Sequence, residues 1–89
     1  MARMEMSTLA KAELAAQSGA PDALFELGMI YSTGRDVNQD LVIAHKWFNL
    51  AALRGNDAAK NYRMEIALEM NKCQVSQAQR QAREWLSEN

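Results

Sequence analysis

The side chains in this sequence that could do chemistry lack the neighbours that chemistry needs, and the clearest case is His45, the only histidine. A histidine that acts as a general base or a metal ligand requires a carboxylate or further ligands beside it. Its nearest neighbours on a helix would be Leu41, Val42, Phe48 and Asn49, which offer none. We interpret His45 as a structural or surface residue.

Cys73 and two acidic pairs are the other candidates. A single cysteine cannot close a disulfide within its own chain, so we interpret Cys73 as a small apolar or surface thiol. Glu65 with Glu69, and Asp36 with Asp40, lie four residues apart, but no second pair is placed to face either one. We predict no catalytic, metal-binding or cofactor-binding residue and a protein that is not an enzyme. A small hydrolase or metal enzyme is the alternative, which a tightly bound metal would reveal.

The charge of the chain argues against nucleic acid as a partner. Ten basic residues against eleven acidic ones leave a net charge of −1, so no uniform positive field gathers phosphates. The nearest approach to a basic patch is Lys72 with Arg80 and Arg83, and Glu84 and Glu88 interrupt it. We therefore expect no binding to nucleic acid.

Length and composition predict one soluble, folded domain. A chain of 89 residues can sustain a single core, and 48% hydrophobic with 24% charged residues is typical of a globular protein. No apolar run approaches the roughly 18 residues of a membrane span. The start of the chain combines Arg3 with Glu5 and Glu13, and it lacks the apolar stretch of a signal peptide. We expect a cytoplasmic protein, or a periplasmic one if a leader was removed.

The hydrophobic pattern predicts five helices and no strand, an all-α fold. The first helix, TLAKAELAAQSG, ends at Gly19, and the second begins with Pro21 in its first turn and ends near Gly34. We expect Asn38 to be the N-cap of the third helix, with Asp40 in its first turn, where a negative charge meets the positive end of the helix dipole.

The remaining boundaries follow from glycine and capping residues. Gly55 ends the third helix, and the fourth runs from about 57 to 71. A break at 72–74 separates it from the fifth helix, which we expect to start at Ser76. Ser76 and Gln79 have the spacing of a capping box.

The chain repeats itself at a near-constant spacing. Three alanines and a glycine recur 36 residues later, and an alanine and a tryptophan recur 38 residues later. These are Ala15, Ala16, Gly19 and Ala23 with Ala51, Ala52, Gly55 and Ala59, and Ala44 and Trp47 with Ala82 and Trp85. A period of this length indicates an array of helix pairs, in which each pair needs a neighbour to cover its apolar face.

A run of small, apolar and turn residues within 23–58 has a recognisable spacing: Ala23, Leu27, Gly28, Tyr31, Gly34, Val37, Asp40, Ala44, Trp47, Ala51, Ala52 and Gly55. In these residues the segment resembles one complete Sel1-like repeat, a relative of the tetratricopeptide repeats. The resemblance implies a right-handed α-α superhelix of about two and a half helix pairs in one domain. That domain spans 1–89 and comprises a half repeat at 4–19, a full repeat at 20–55 and a degenerate capping repeat at 56–88.

The resemblance also implies structural roles and a function. The residues that would pack the two helices of a unit are Leu27, Tyr31, Ala44, Trp47, Ala51 and Ala52. Gly28 and Gly34 would permit close approach and the turn. The chain departs from the family at Asp36, where the turn usually has a second glycine, and at Ile43, where lysine is usual. The implied function is a non-enzymatic adaptor or scaffold that binds proteins, often within bacterial signalling or envelope assemblies.

One flank of the second helix is the predicted protein-binding surface. Phe25, Met29 and Ser32 share a stripe about 100° from the core face, and this flank tends to line the concave side of stacked helix pairs. A large aromatic placed there is either covered by a neighbouring helix or anchors a peptide. We predict that these three residues contact the partner.

A self-associating structural protein, such as a homodimer, is the alternative function. The first helix matches only the second half of a unit and so lacks its hairpin mate. A stack needs about three repeats to stand alone. Either a dimer covers the open end, or the chain is part of a longer repeat array.

Overall fold

A computed structural model describes residues 7–88, so residues 4–6 of the predicted half repeat lie outside the described part. Within residues 7–88 the chain forms five helices and no strand, which confirms the all-α class. The helices are α1 (Thr8–Ala16), α2 (Pro21–Thr33), α3 (Leu41–Leu53), α4 (Asp57–Ala67) and α5 (Lys72–Glu88). The right-handedness of the superhelix stays a prediction.

The central element is α3, which packs against α2, α4 and α5, while α1 packs on α2. The helices α2 and α3 form a closely packed hairpin. By contrast, α4 and α5 both lie against α3 and make few contacts with each other. The result is an elongated stack of 50 × 25 × 22 Å, whose last helix pair is open.

The core lies mainly between α2 and α3. Its largest fully buried side chains are Phe48, Leu24, Leu27, Ile30 and Leu50. Elsewhere, buried alanines lie at the contacts between helices. A short side chain at a contact lets two helix axes approach closely. These alanines are Ala12, Ala16, Ala44, Ala51, Ala59, Ala78 and Ala82.

The turn between α2 and α3 differs from the prediction at the N-cap of α3. Gly34 ends α2 in the left-handed conformation, with φ of 75°. The N-cap of α3 is Asp40, not Asn38, because the backbone of Asp40 is extended and its carboxylate accepts a hydrogen bond from the Ile43 N–H at 3.1 Å. Asp36 also has a positive φ, 65°, a backbone conformation that glycine adopts without strain.

The helix α5 begins one turn earlier than predicted. Asn71 and Gln74 cap each other's backbone: the Gln74 N–H donates to Asn71 Oδ1 at 2.8 Å, and the Asn71 N–H donates to Gln74 Oε1 at 2.9 Å. This reciprocal pair starts the helix at Lys72. The capping box predicted at Ser76 and Gln79 is therefore wrong, because those residues lie inside α5.

The helix α4 is shorter than predicted and ends at Ala67 instead of near Asn71. Leu68, Glu69 and Met70 donate backbone hydrogen bonds three residues back, to the carbonyl groups of residues 65–67. Hydrogen bonds that span three residues instead of four tighten the last turn of a helix, and the helix ends there. The predicted break at 72–74 thus lies four residues earlier, at 68–71.

Candidate protein-binding site

The predicted anchor Phe25 is held in an aromatic cluster that joins three helices. Its ring centroid lies 5.7 Å from that of Phe48 on α3 and 5.4 Å from that of Tyr62 on α4, and the rings of Phe48 and Tyr62 stack at 5.5 Å. Aromatic pairs at these separations attract each other beyond the apolar area that they bury. Phe25 is half-buried. A neighbouring helix therefore covers part of the ring, and the rest remains accessible.

The other two predicted contact residues are also half-buried. Met29 packs against the core. The Ser32 hydroxyl donates to the Met29 carbonyl at 3.2 Å, and the Ser32 carbonyl accepts from Gln39 Nε2 at 2.8 Å. The stripe of Phe25, Met29 and Ser32, which we call the α2 surface, is continuous with Tyr62, whose side chain is exposed. Its role in binding a partner stays a prediction.

The two tryptophans meet in space. Trp47 of α3 and Trp85 of α5 have ring centroids 6.1 Å apart and planes at 81°, an edge-to-face pair. Both are half-buried, whereas Ala44 and Ala82, one turn earlier on each helix, are buried. The alanines bring α3 and α5 together, and the tryptophans close the outer edge of that contact.

Beside the tryptophan pair lies a hollow of about 200 Å³ that is open to solvent. We call it the tryptophan hollow, and its walls come from α1, α2, α3 and α5. It is lined by Glu13, Ala16, Gln17, Leu27, Trp47 and Trp85. Ala16 and Leu27 are buried and make its apolar floor, while Glu13 and Gln17 are exposed at its rim. Sequence reasoning treated Trp47 and Trp85 as packing residues and did not select Glu13 or Gln17.

Cations already approach both tryptophan rings. Lys46 Nζ lies 4.3 Å from the centroid of the Trp47 ring, and the guanidinium carbon of Arg54 lies 5.8 Å from that of the Trp85 ring. Burial lowers the pKa of Lys46, and the nearby carboxylates of Glu88 and Glu84 oppose that shift. The indole faces thus lie in an environment in which cation–π attraction operates.

The rim of the hollow is negative on the α1 side. The pKa of Tyr31, one turn after Leu27 on α2, is raised first by burial and then by the carboxylates of Glu13 and Asp40. The influence of Glu13 therefore reaches across the groove between α1 and α2. Glu13 itself makes no hydrogen bond or ion pair with any residue between 7 and 88.

The predicted repeat residues occupy the contacts between helices and the turns. Leu27, Gly28, Ala44 and Ala51 are buried, and Ala23, Tyr31, Trp47, Ala52 and Trp85 are half-buried. Gly28 lies against the Phe48 ring, where an added Cβ would overlap ring atoms. Gly34 and Gly55 have φ of 75° and 107°, so both serve the backbone of a turn. Asp40 is the N-cap of α3.

His45 is buried, with 4% of its surface exposed. Its Nδ1 atom has no hydrogen-bond partner, and burial, helped by the positive charge of Arg63, lowers its pKa below the ordinary value for histidine. Arg63 in turn donates to Asn49 Oδ1 at 2.6 Å. A buried imidazole whose Nδ1 has no hydrogen-bond partner is a packing residue, which fits the structural interpretation of His45.

Other surfaces offer less defined sites. The outer face of α5 bears a hollow of about 570 Å³, but its lining residues, from Lys72 to Arg83, all belong to that one helix, so no second wall faces them. Cys73 is exposed there as a free thiol. Across residues 7–88 no three histidine, cysteine or acidic side chains come together as metal ligands. No helix in the same range is long and apolar enough to cross a bilayer.

Comparison with known proteins identifies the repeats. The model of the Sel1 repeat matches residues 21–56, which form α2 and α3, and residues 72–88, which form α5. No curated protein and no solved structure is significantly similar to the chain. Sel1 repeats are helical repeats that generally mediate protein–protein interaction. Because the matched residues make up more than half of the chain, this protein belongs to the Sel1 repeat family.

Proposed function

We propose that the protein is a non-enzymatic adaptor that binds another protein in the grooves between its stacked helices. The tryptophan hollow carries this proposal. Its lining residues come from α1, from both helices of the α2–α3 hairpin and from α5, so no single helix pair can form it. A surface that exists only when repeats stack is the kind that repeat proteins use for recognition.

The composition of the hollow supports recognition of a protein segment. Tryptophan is among the residues enriched at the energetic centres of protein interfaces, where it lies in pockets with a polar rim. Trp47 and Trp85 supply the aromatic walls, and Glu13 and Gln17 supply the rim. Small-molecule sites usually enclose about 300–1,000 Å³, whereas about 200 Å³ suits one side chain of a bound protein.

The α2 surface is the second area that we propose contacts the partner. Phe25 and Met29 present partly accessible apolar surface, and the exposed edge of Tyr62 extends it onto α4. Because Phe25 also packs on Phe48, the test substitution should remove the Phe25 ring but keep an apolar side chain in the aromatic cluster. Phe25→Leu together with Met29→Ala satisfies that condition.

Capture of binding proteins by the immobilised full chain tests the adaptor function. Gln17→Trp places a bulky ring at the rim of the hollow, and we expect it to reduce capture about tenfold. Gln77→Trp, on the outer face of α5, is the matched control and should leave capture unchanged. Circular dichroism establishes that all variants keep their helices. Absence of any protein that binds the native chain above a heat-unfolded sample would refute the adaptor function.

Self-association is a second candidate, favoured by an exposed apolar strip at the C-terminal end of α4. Leu68 is 88% exposed and Met64 is 60% exposed on the same outward face. Two side chains fall far short of the roughly 20 to 30 residues on each side of a standard interface, so we rank this function second. Sedimentation over a wide concentration range tests it. A concentration-dependent dimer that Leu68→Glu dissociates would support self-association, and a stable monomer would exclude it.

A further inference from the structure

The tryptophan hollow combines the two groups that recognise a positively charged side chain. Aromatic faces attract a cation through the electron density of the ring, and indole is the strongest of them. A carboxylate at the rim can pair with the same cation. Trp47 and Trp85 form the walls and Glu13 stands at the rim, with no ion pair among the described residues.

We propose that the tryptophan hollow binds one cationic side chain of the partner protein, an arginine in preference to a lysine. This inference rests on the proposed adaptor function and names the chemistry of the partner. Arginine is preferred because a planar guanidinium can stack on an indole and present its edge to a carboxylate, which a round ammonium group cannot do.

The internal contacts of the two rings support a cationic occupant. The chain itself places Lys46 at 4.3 Å from the Trp47 ring and Arg54 at 5.8 Å from the Trp85 ring. These contacts show that cations settle against both indoles in this fold. The partner's arginine would use the same attraction from the side of the hollow, where Glu13 adds a negative charge.

The positive charge of Arg54 should oppose binding at this site. Arg54 is exposed at the end of α3, and its guanidinium lies so close to Gly19 that a Cβ there would be 2.7 Å from Nη1. A second positive charge near Trp85 repels an incoming arginine. Removal of Arg54 should therefore strengthen binding, whereas removal of Glu13 should weaken it. If Arg54 and Glu13 acted only in packing, their removal would not change the binding affinity in opposite directions.

The direct test titrates the full chain with the capped tripeptide Gly-Arg-Gly. The chain has only two tryptophans, so their two indole N–H signals in the NMR spectrum report on the hollow. We expect saturable shifts of both signals at millimolar peptide, smaller ones for Gly-Lys-Gly, and none for the neutral peptide in which citrulline replaces arginine. Equal shifts with the citrulline peptide, or no shift with the arginine peptide, would overturn the proposal.

Single-charge variants test the assignment of roles. Glu13→Gln should weaken binding of the arginine peptide about two- to fivefold, the size expected for one exposed ion pair. Its control is Glu65→Gln on α4, which should leave the affinity unchanged. Arg54→Gln should strengthen binding two- to threefold, with Arg80→Gln on the outer face of α5 as its control. An unchanged affinity in Glu13→Gln would contradict the inference.

The two proposals can fail independently. If Gln17→Trp abolishes protein capture but the arginine peptide moves neither indole signal, the adaptor function stands and the cationic partner is wrong. If the arginine peptide binds as expected but the native chain captures no protein, the chemistry of the hollow stands and the adaptor function falls.

Discussion

The ring of Phe48 lies directly against the backbone of Gly28, so close that a methyl group at residue 28 would overlap it. Phe48 is fully buried, and the rings of Phe25 and Tyr62 also pack against it. The glycine in the middle of α2 is therefore a packing residue: it admits a large ring from α3 where any side chain would hold the two helices apart. This contact sets the spacing of the central hairpin.

Gly28→Ala should lower the free energy of unfolding by about 1–2 kcal/mol. Overpacking a rigid core costs about 1–3 kcal/mol, and the better helix propensity of alanine returns up to about 1 kcal/mol. Urea denaturation followed by circular dichroism measures the change. In a Phe48→Leu background the added methyl finds room, so the same substitution should become neutral or stabilising. An equal loss in both backgrounds would show that Phe48 is not the cause.

Asp36→Gly should raise the free energy of unfolding by up to about 1 kcal/mol. Asp36 has φ of 65°, a region where a Cβ is strained and glycine is not. Asp36→Ala is the control, since it removes the carboxylate but keeps the Cβ, and it should not stabilise the protein. Stabilisation by both substitutions would point to charge instead of backbone conformation.

Asn71→Ala should destabilise the protein by about 1 kcal/mol, the usual effect of losing an N-cap. Ser76→Ala should change stability by less than about 0.5 kcal/mol, because Ser76 is exposed inside α5. The midpoints of thermal unfolding compare the two variants. A larger effect of Ser76→Ala would restore the helix start that the sequence alone suggested.

The stability of the protein should fall as the pH decreases from about 6.5. His45 has a lowered pKa in the folded chain, chiefly because it is buried. The unfolded chain therefore takes up the proton first, and stability present above the unfolded pKa of about 6.5 is lost toward the folded pKa. One such group gives a slope of at most about 1.4 kcal/mol per pH unit. Denaturant midpoints between pH 7.5 and 5 measure it, and His45→Gln should remove most of the slope.

Much of the fold could be predicted from local patterns. The 36-residue recurrence of alanines and glycine, together with Pro21, Gly34 and Gly55, placed the first three helices because each feature acts within one or two turns of chain. The start of α5 was misplaced for a related reason. Asn71 with Gln74 and Ser76 with Gln79 have the same spacing, and only the hydrogen bonds of the folded chain distinguish the pair that caps α5.

The tryptophan hollow could not be predicted from such local patterns. The sequence by itself determined that Trp47 and Trp85 occupy equivalent positions on successive second helices, since a repeat is a property of the chain. Only the tertiary structure decided that their rings meet at 6.1 Å and that Glu13 of α1 and the C-cap residue Gln17 complete a hollow around them. Residues 13 and 85 are 72 positions apart. Their proximity depends on how far each helix turns relative to the last, and that angle is set by side-chain packing at every contact between them.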